Sequence, residues 1–158
     1  MKIIRELVIK KPIEDVWEVL GNQFADISKW SSLISSSEVS GESKMTNVSY
    51  SIRSTETANG PTKQELTAFD PANHMLSYKA ISGTPAFFKS VHAEWALTSS
   101  GQDATILMLD FEVKFKGITG ILSPIVKKKL GKVGDELLED FQYYVENGTP
   151  HPRKTASK

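Results

Sequence analysis

Cysteine is absent from the 158 residues, which removes disulfides, thiolate nucleophiles and thiolate zinc sites together. An excess of either charge is missing too. Nineteen Lys and Arg offset nineteen Asp and Glu, so no net charge draws the chain to nucleic acid or to an anionic membrane. No window approaches the ~20 apolar residues of a membrane span. The N-terminus mixes Lys2, Arg5 and Glu6 with apolar residues and lacks the apolar run of roughly 7–15 residues that marks a secretory signal. Histidine is scarce, with His74, His92 and His151 far apart, and no His/carboxylate cluster at metal spacing, phosphate loop or nucleophile elbow is found. These absences lead us to expect a soluble, cytoplasmic protein with no metal, no cofactor, no nucleic-acid partner and no integral membrane segment.

What is there has the texture of a folded domain: 39% hydrophobic and 24% charged residues, long enough to bury about two thirds of its unfolded surface. Ile3, Ile4, Leu7, Val8 and Ile9 predict a first strand. Pro12 then suits a helix start, and Ile13, Val16, Trp17 and Leu20 recur at helical spacing, with Glu14 and Asp15 at the favourable positive end and Gly21 placed to stop the helix. Phe24, Ile27 and Trp30 predict a second short helix leading into an irregular serine-rich stretch, 31–37.

From Val39 onward the pattern is that of strands. Val48, Tyr50 and Ile52 alternate with Ser49, Ser51 and Arg53, predicting one apolar face. Asn59-Gly60 signals a hairpin with positive φ at both positions, and strands over 64–69, 75–81, 87–97 and 105–116 follow between turn-forming clusters. In the last of these Leu107, Leu109, Phe111, Val113 and Phe115 share one face. The strand around 91–97 leaves its register open, because Lys89 puts odd positions outside while Trp95 and Leu97 are odd and apolar; a bulge between them would reconcile the two.

Ser123-Pro124 reads as a cap followed by proline at the first helical position. Leu122, Val126, Leu130, Val133, Leu137, Phe141 and Tyr144 form one long stripe beyond it, with lysines and acids opposite. Gly148 and Pro150 stop the helix. We read 1–147 as a single domain and 148–158 as a flexible polar tail. The order strand, two short helices, six strands, long helix excludes a parallel βαβ sheet. It predicts an α+β fold in which a seven-stranded curved antiparallel sheet grips the long C-terminal helix.

The stretch from Ile9 and Pro12 through Val16, Trp17 and Leu20 to Trp30 resembles the opening of the START-like helix-grip superfamily. That superfamily includes birch-pollen-allergen-type proteins, polyketide cyclases and lipid carriers. Gln64-Glu65-Leu66, Leu76-Ser77-Tyr78, Phe88-Lys89-Ser90-Val91 and Trp95-Ala96-Leu97 extend the resemblance over 1–147. It implies a cavity between sheet and helix. Where many bacterial members carry arginine, this chain has Tyr50, and the gate and latch loops of plant hormone receptors are not reproduced.

Alternation places Tyr50, Gln64, Leu66, Tyr78, Phe88, Ser90 and His92 inward from the middle strands, with Leu109, Phe111 and Val113 from the last one and Leu130, Val133, Leu137 and Phe141 from the helix. Aromatic and aliphatic walls with a few polar groups suit a small-molecule pocket, and they equally suit a packed core. Gly131 and Gly134 each cost the helix about 1 kcal/mol relative to alanine, which would make room for a ligand or a bend. The leading expectation is a monomeric or homodimeric binder or carrier of a small hydrophobic molecule: a lipid, polyketide or aromatic metabolite. The alternative is a polyketide cyclase or dehydratase with His92 as general base and Tyr78 or Tyr50 polarising a carbonyl. A protein-interaction domain ranks third.

Overall fold

Strand β1 (Lys2–Ile9) stops at Lys10-Lys11-Pro12, since proline cannot donate to a ladder but is well placed just before a helix. In the computed structural model, which describes residues 1–117 and 123–156, α1 (Ile13–Trp17) continues without interruption into a wide turn, Glu18–Asn22. Gly21 does not end a helix as expected. It lies inside that turn, where a Cβ would run into the indole of Trp17, so its role is close packing. A 3₁₀ segment, Phe24–Lys29, completes the plug, and Val16, Trp17, Leu20, Phe24, Ile27 and Trp30 are all buried.

The remaining strands are β2 (Ile34–Ser40), β3 (Ile52–Thr57), β4 (Gly60–Asp70), β5 (Met75–Ser82), β6 (Phe88–Ser99) and β7 (Thr105–Phe115). They form one antiparallel sheet in the order β1-β7-β6-β5-β4-β3-β2. The first two strands in sequence therefore become the two edges, and the helical plug spans one end of the sheet between them. Helix α2 (Ser123–Asn147) covers the inner face; Leu122 and the proposed Ser123 side-chain cap lie outside the described residues. No helix among the described residues is long and apolar enough to cross a membrane.

Three expectations need correction here. The serine-rich stretch forms edge strand β2, in which Ser36, Ser37 and Glu38 pair with Glu56, Thr55 and Ser54 of β3. The hairpin turns at Ala58-Asn59, one residue earlier than expected, because Thr57 pairs with Gly60, and of Asn59-Gly60 only Gly60 takes positive φ, at 108°. Finally, the segment after 147 carries a short helix, α3 (Pro152–Ala156), folded back on the body. Arg153 donates to Asp140 at 2.8 Å and to Glu139 at 2.7 Å, and Lys154 Nζ reaches the carbonyls of Ser31 and Ile34 at 2.9 and 3.0 Å. Its two cations meet a buried carboxylate and a carbonyl-rich turn, which is why a polar segment docks.

The core lies between plug, sheet and the second half of α2. Phe141 is fully buried, edge-on to Trp30 and Trp95 at 5.2 and 6.2 Å between ring centroids. The first half of α2 is different. Ile125 is 61% exposed and Val133 45%, against 3% for Leu138, so this half overhangs the sheet without being sunk into it.

Candidate functional site

The inner face of the sheet is set by alternation from each strand, and the bulge in β6 decides one dispute. The ladder between β6 and β7 shifts between Phe88 and Ser90, which leaves Lys89 as the extra residue. Val91, Ala93, Trp95 and Leu97 then point inward, and Ser90, His92 and Glu94 point out. His92 is accordingly on the outer face, where its Nε2 lies 3.3 Å from Thr67 Oγ1, and not in the interior as expected. Its ladder partner on β5 is Lys79; Tyr78, one residue earlier and opposite Ala93, faces in, so His92 and Tyr78 cannot act on one substrate. A cyclase mechanism with His92 as base has no geometry here. His92→Gln is expected to leave binding of an apolar probe unchanged within error, which a fluorescence titration checks.

Beneath α2, a cavity of about 60 Å³ is lined by Ile3, Arg5, Tyr78, Trp95, Leu109, Phe111, Leu130, Val133, Gly134 and Leu137. Six of the expected site residues meet there: Tyr78, Leu109, Phe111, Leu130, Val133 and Leu137. Val133 forms the rim. At Gly134 an added Cβ would meet nothing within 4 Å, so this glycine faces the open space, whereas at Gly131 a Cβ would come within 3.0 Å of the Arg5 guanidinium. Arg5 closes the β1 side through an ion pair with Asp135 at 2.6 Å.

The other expected residues lie elsewhere. Phe88 is buried in a separate cluster with Phe87 and Phe115, at 4.8 and 5.5 Å between centroids. Ser90 is exposed, and Val113 is buried but does not line the cavity. Phe141 is core. Leu66 is core too, and Tyr50 stacks on Phe24 at 6.4 Å. Burial is the main influence raising the Tyr50 phenol above its usual value, with the nearby Arg53 cation opposing it.

Gln64 leads to the residue that sequence reasoning placed on the wrong face. β3 begins at Ile52, so Arg53 and Thr55 are its inward residues, at 3% exposure each. Arg53 faces Gln64 directly across the ladder, and Gln64 Oε1 accepts from its Nε at 2.9 Å and its Nη2 at 2.6 Å. Nη1 donates to the Phe24 carbonyl at 2.8 Å, and the guanidinium lies 3.7 Å above the Phe24 ring. No carboxylate pairs with it among the described residues. Burial, the largest influence, lowers its pKa to about 10, which still leaves it charged at neutral pH. The signal was available: counting back from a turn at Asn59-Gly60 pairs 58 with 61 and hence 53 with 66, already on the face of Leu66 and Gln64, and the observed turn at Ala58-Asn59 pairs 57 with 60 and hence 53 with 64.

Arg53 borders a second, much smaller space of about 10 Å³, room for one water, enclosed by the plug and by Leu76, Tyr78 and Trp95. Tyr78 and Trp95 thus line both spaces. The two side chains are joined by a hydrogen bond from Trp95 Nε1 to the Tyr78 hydroxyl at 3.3 Å.

The family described as polyketide cyclase/dehydrase and lipid transport matches residues 2–146. Among solved structures, the chain is similar to a START superfamily protein from Mycobacterium smegmatis, at 17% identity and a TM-score of 0.77, covering 94% of this chain and 99% of that one. It is similar to a protein from Nitrosospira multiformis at 20% identity and a TM-score of 0.73, covering 94% and 98%. The di-domain ARO/CYC BexL from the BE-7585A biosynthetic pathway aligns at 12% identity and a TM-score of 0.76, over 92% of this chain and 46% of that one. Comparison with curated proteins returns no match.

Proposed function

From the premise that the chain belongs to the polyketide cyclase/dehydrase and lipid transport family, we propose that it binds a small hydrophobic ligand between α2 and the inner face of the sheet. The observation that carries this reading is the apolar cavity under an overhanging helix, with Gly134 turned toward its open space. Glycine inside a helix is about 1 kcal/mol worse than alanine, and here nothing packs against it to require its small size. Emptiness at that point has a use if a guest fills it. At about 60 Å³ the closed cavity is well below the ~300 Å³ at which drug-sized ligand pockets begin. A guest as large as a lipid or polyketide therefore enters by displacing the first half of α2, whose apolar residues Ile125 and Val133 are already half in water.

The uncharged dye N-phenyl-1-naphthylamine tests the site without involving charge. The wild-type chain is expected to bind it saturably with a blue shift. Gly134→Ala should raise stability by roughly 0.5–1 kcal/mol. Gly134→Leu should fill the cavity and abolish dye binding while leaving the thermal midpoint unchanged or higher. Absence of saturable binding by the wild type, or unaltered binding by the leucine variant, would refute the reading.

A further inference from the structure

Arg53 poses a problem that an apolar cavity does not answer. A guanidinium removed from water costs several kcal/mol in real proteins unless an opposite charge compensates it. This one is 3% exposed, and among the described residues its neighbours are neutral: Gln64, the Phe24 carbonyl and two aromatic rings. Neutral, well-packed replacements for buried charges are often as stable or more so. The charge is thus a poor device for holding the fold, and its value lies in something it meets.

The guanidinium has five N–H donors. Gln64 takes two and Phe24 takes one, and Tyr78 borders the same small space, its ring centroid 5.3 Å from the guanidinium carbon. The Tyr78 hydroxyl accepts from Trp95 Nε1 at 3.3 Å. One neutral donor therefore points at this phenolic oxygen, and a cation borders the small space that Tyr78 separates from the larger cavity beneath α2. That oxygen is the place where a ligand's charged oxygen would gain most. If Tyr78 turns aside, the two spaces join into one channel with an apolar length and a single buried positive charge at its end.

We infer that the ligand is an apolar carboxylic acid whose carboxylate replaces the Tyr78 hydroxyl between Arg53 and Trp95. This rests on the binding reading given above and adds the head group to it. One cation and room for about one water fit a single negative charge on a small planar group better than a phosphate, which is bulkier and carries more charge than Arg53 offsets.

Octanoate and 1-octanol share a chain length and differ at the head, so displacement of N-phenyl-1-naphthylamine by each, at pH 7 on the full chain, reads the head group alone. Octanoate is expected to displace the dye at least about tenfold more tightly, the ratio that a charge-assisted hydrogen bond supplies. Tyr78→Phe keeps the ring and removes the competing hydroxyl, leaving the Trp95 donor unsatisfied; it should strengthen octanoate further and leave 1-octanol nearly unchanged. Arg53→Met should erase the preference for the acid. Equal displacement by acid and alcohol with dye binding intact overturns the head-group inference alone. The same inference is lost if Tyr78→Phe weakens octanoate. Failure of the dye to bind at all overturns the inference and the binding reading together.

Discussion

Phe141→Ala is expected to lower the free energy of unfolding by about 3–5 kcal/mol, read from the urea midpoint at unchanged slope. The side chain is fully buried and touches the indoles of Trp30, from the plug, and Trp95, from the middle of the sheet. Three elements distant in sequence meet on this one ring. Truncation would leave a void that neither indole can fill without leaving its own neighbours, and Trp95 is also tied to Tyr78. Val133→Ala, on the same helix but 45% exposed, should cost no more than about 1 kcal/mol. Similar losses for the two variants would mean that α2 is seated evenly along its length, contrary to the burial described here.

Asp140→Ala comes next, with an expected loss of about 2–3 kcal/mol. The carboxylate is fully buried and serves two partners on opposite sides. Oδ2 accepts from the Ser32 backbone N–H at 2.7 Å and its hydroxyl at 2.6 Å, while Oδ1 accepts from Arg153 Nε at 2.8 Å. Alanine would strand the Ser32 N–H and remove the buried anchor of α3 in one step. Asp140→Asn separates these effects: its carbonyl can still serve Ser32, but its amide would point donor to donor at Arg153. The expected outcome is a smaller stability loss accompanied by rapid proteolytic cleavage between 148 and 156. An Asn variant as protease-resistant as the wild type would show that Arg153 does not hold the segment through Asp140.

The element order and the helix-grip architecture were readable because each strand and the long helix carry their own periodicity, and because Pro12, Asn59-Gly60 and Gly148 mark their ends. Trp17 and Trp30 were readable as apolar positions of the two short helical segments on the same grounds. The site was only half legible. Leu109, Phe111, Leu130 and Leu137 sit on regular elements whose alternation runs unbroken, and they line the cavity together. His92 and Ser90 were misplaced because one extra residue, Lys89, reverses every side chain that follows in its strand relative to those before it. Arg53 was misplaced for a different reason: the apolar pattern at Val48, Tyr50 and Ile52 suggested a strand that in fact starts only at Ile52. A charged residue is also normally assigned to water, and burial of one runs against composition-based reasoning. Docking of α3 was hidden because it depends on Asp140, an acid on a helix face that faces inward only once the helix is laid on the sheet.

The unequal seating of α2 has a mechanical consequence. Gln142 bonds the Val8 carbonyl at 2.9 Å and Glu146 accepts from the Lys10 N–H at 2.8 Å, so the far half is riveted to the β1 edge as well as to the aromatic centre. Among the described residues no such rivet is seen over 124–134, and the nearest is the pair of Asp135 with Arg5. The helix is built like a cantilever, clamped at one end and loaded at the other. Under the binding reading proposed above, guest size would vary with the lift of the free arm while the clamp keeps the fold intact, so capacity in one half could be retuned without spending stability in the other.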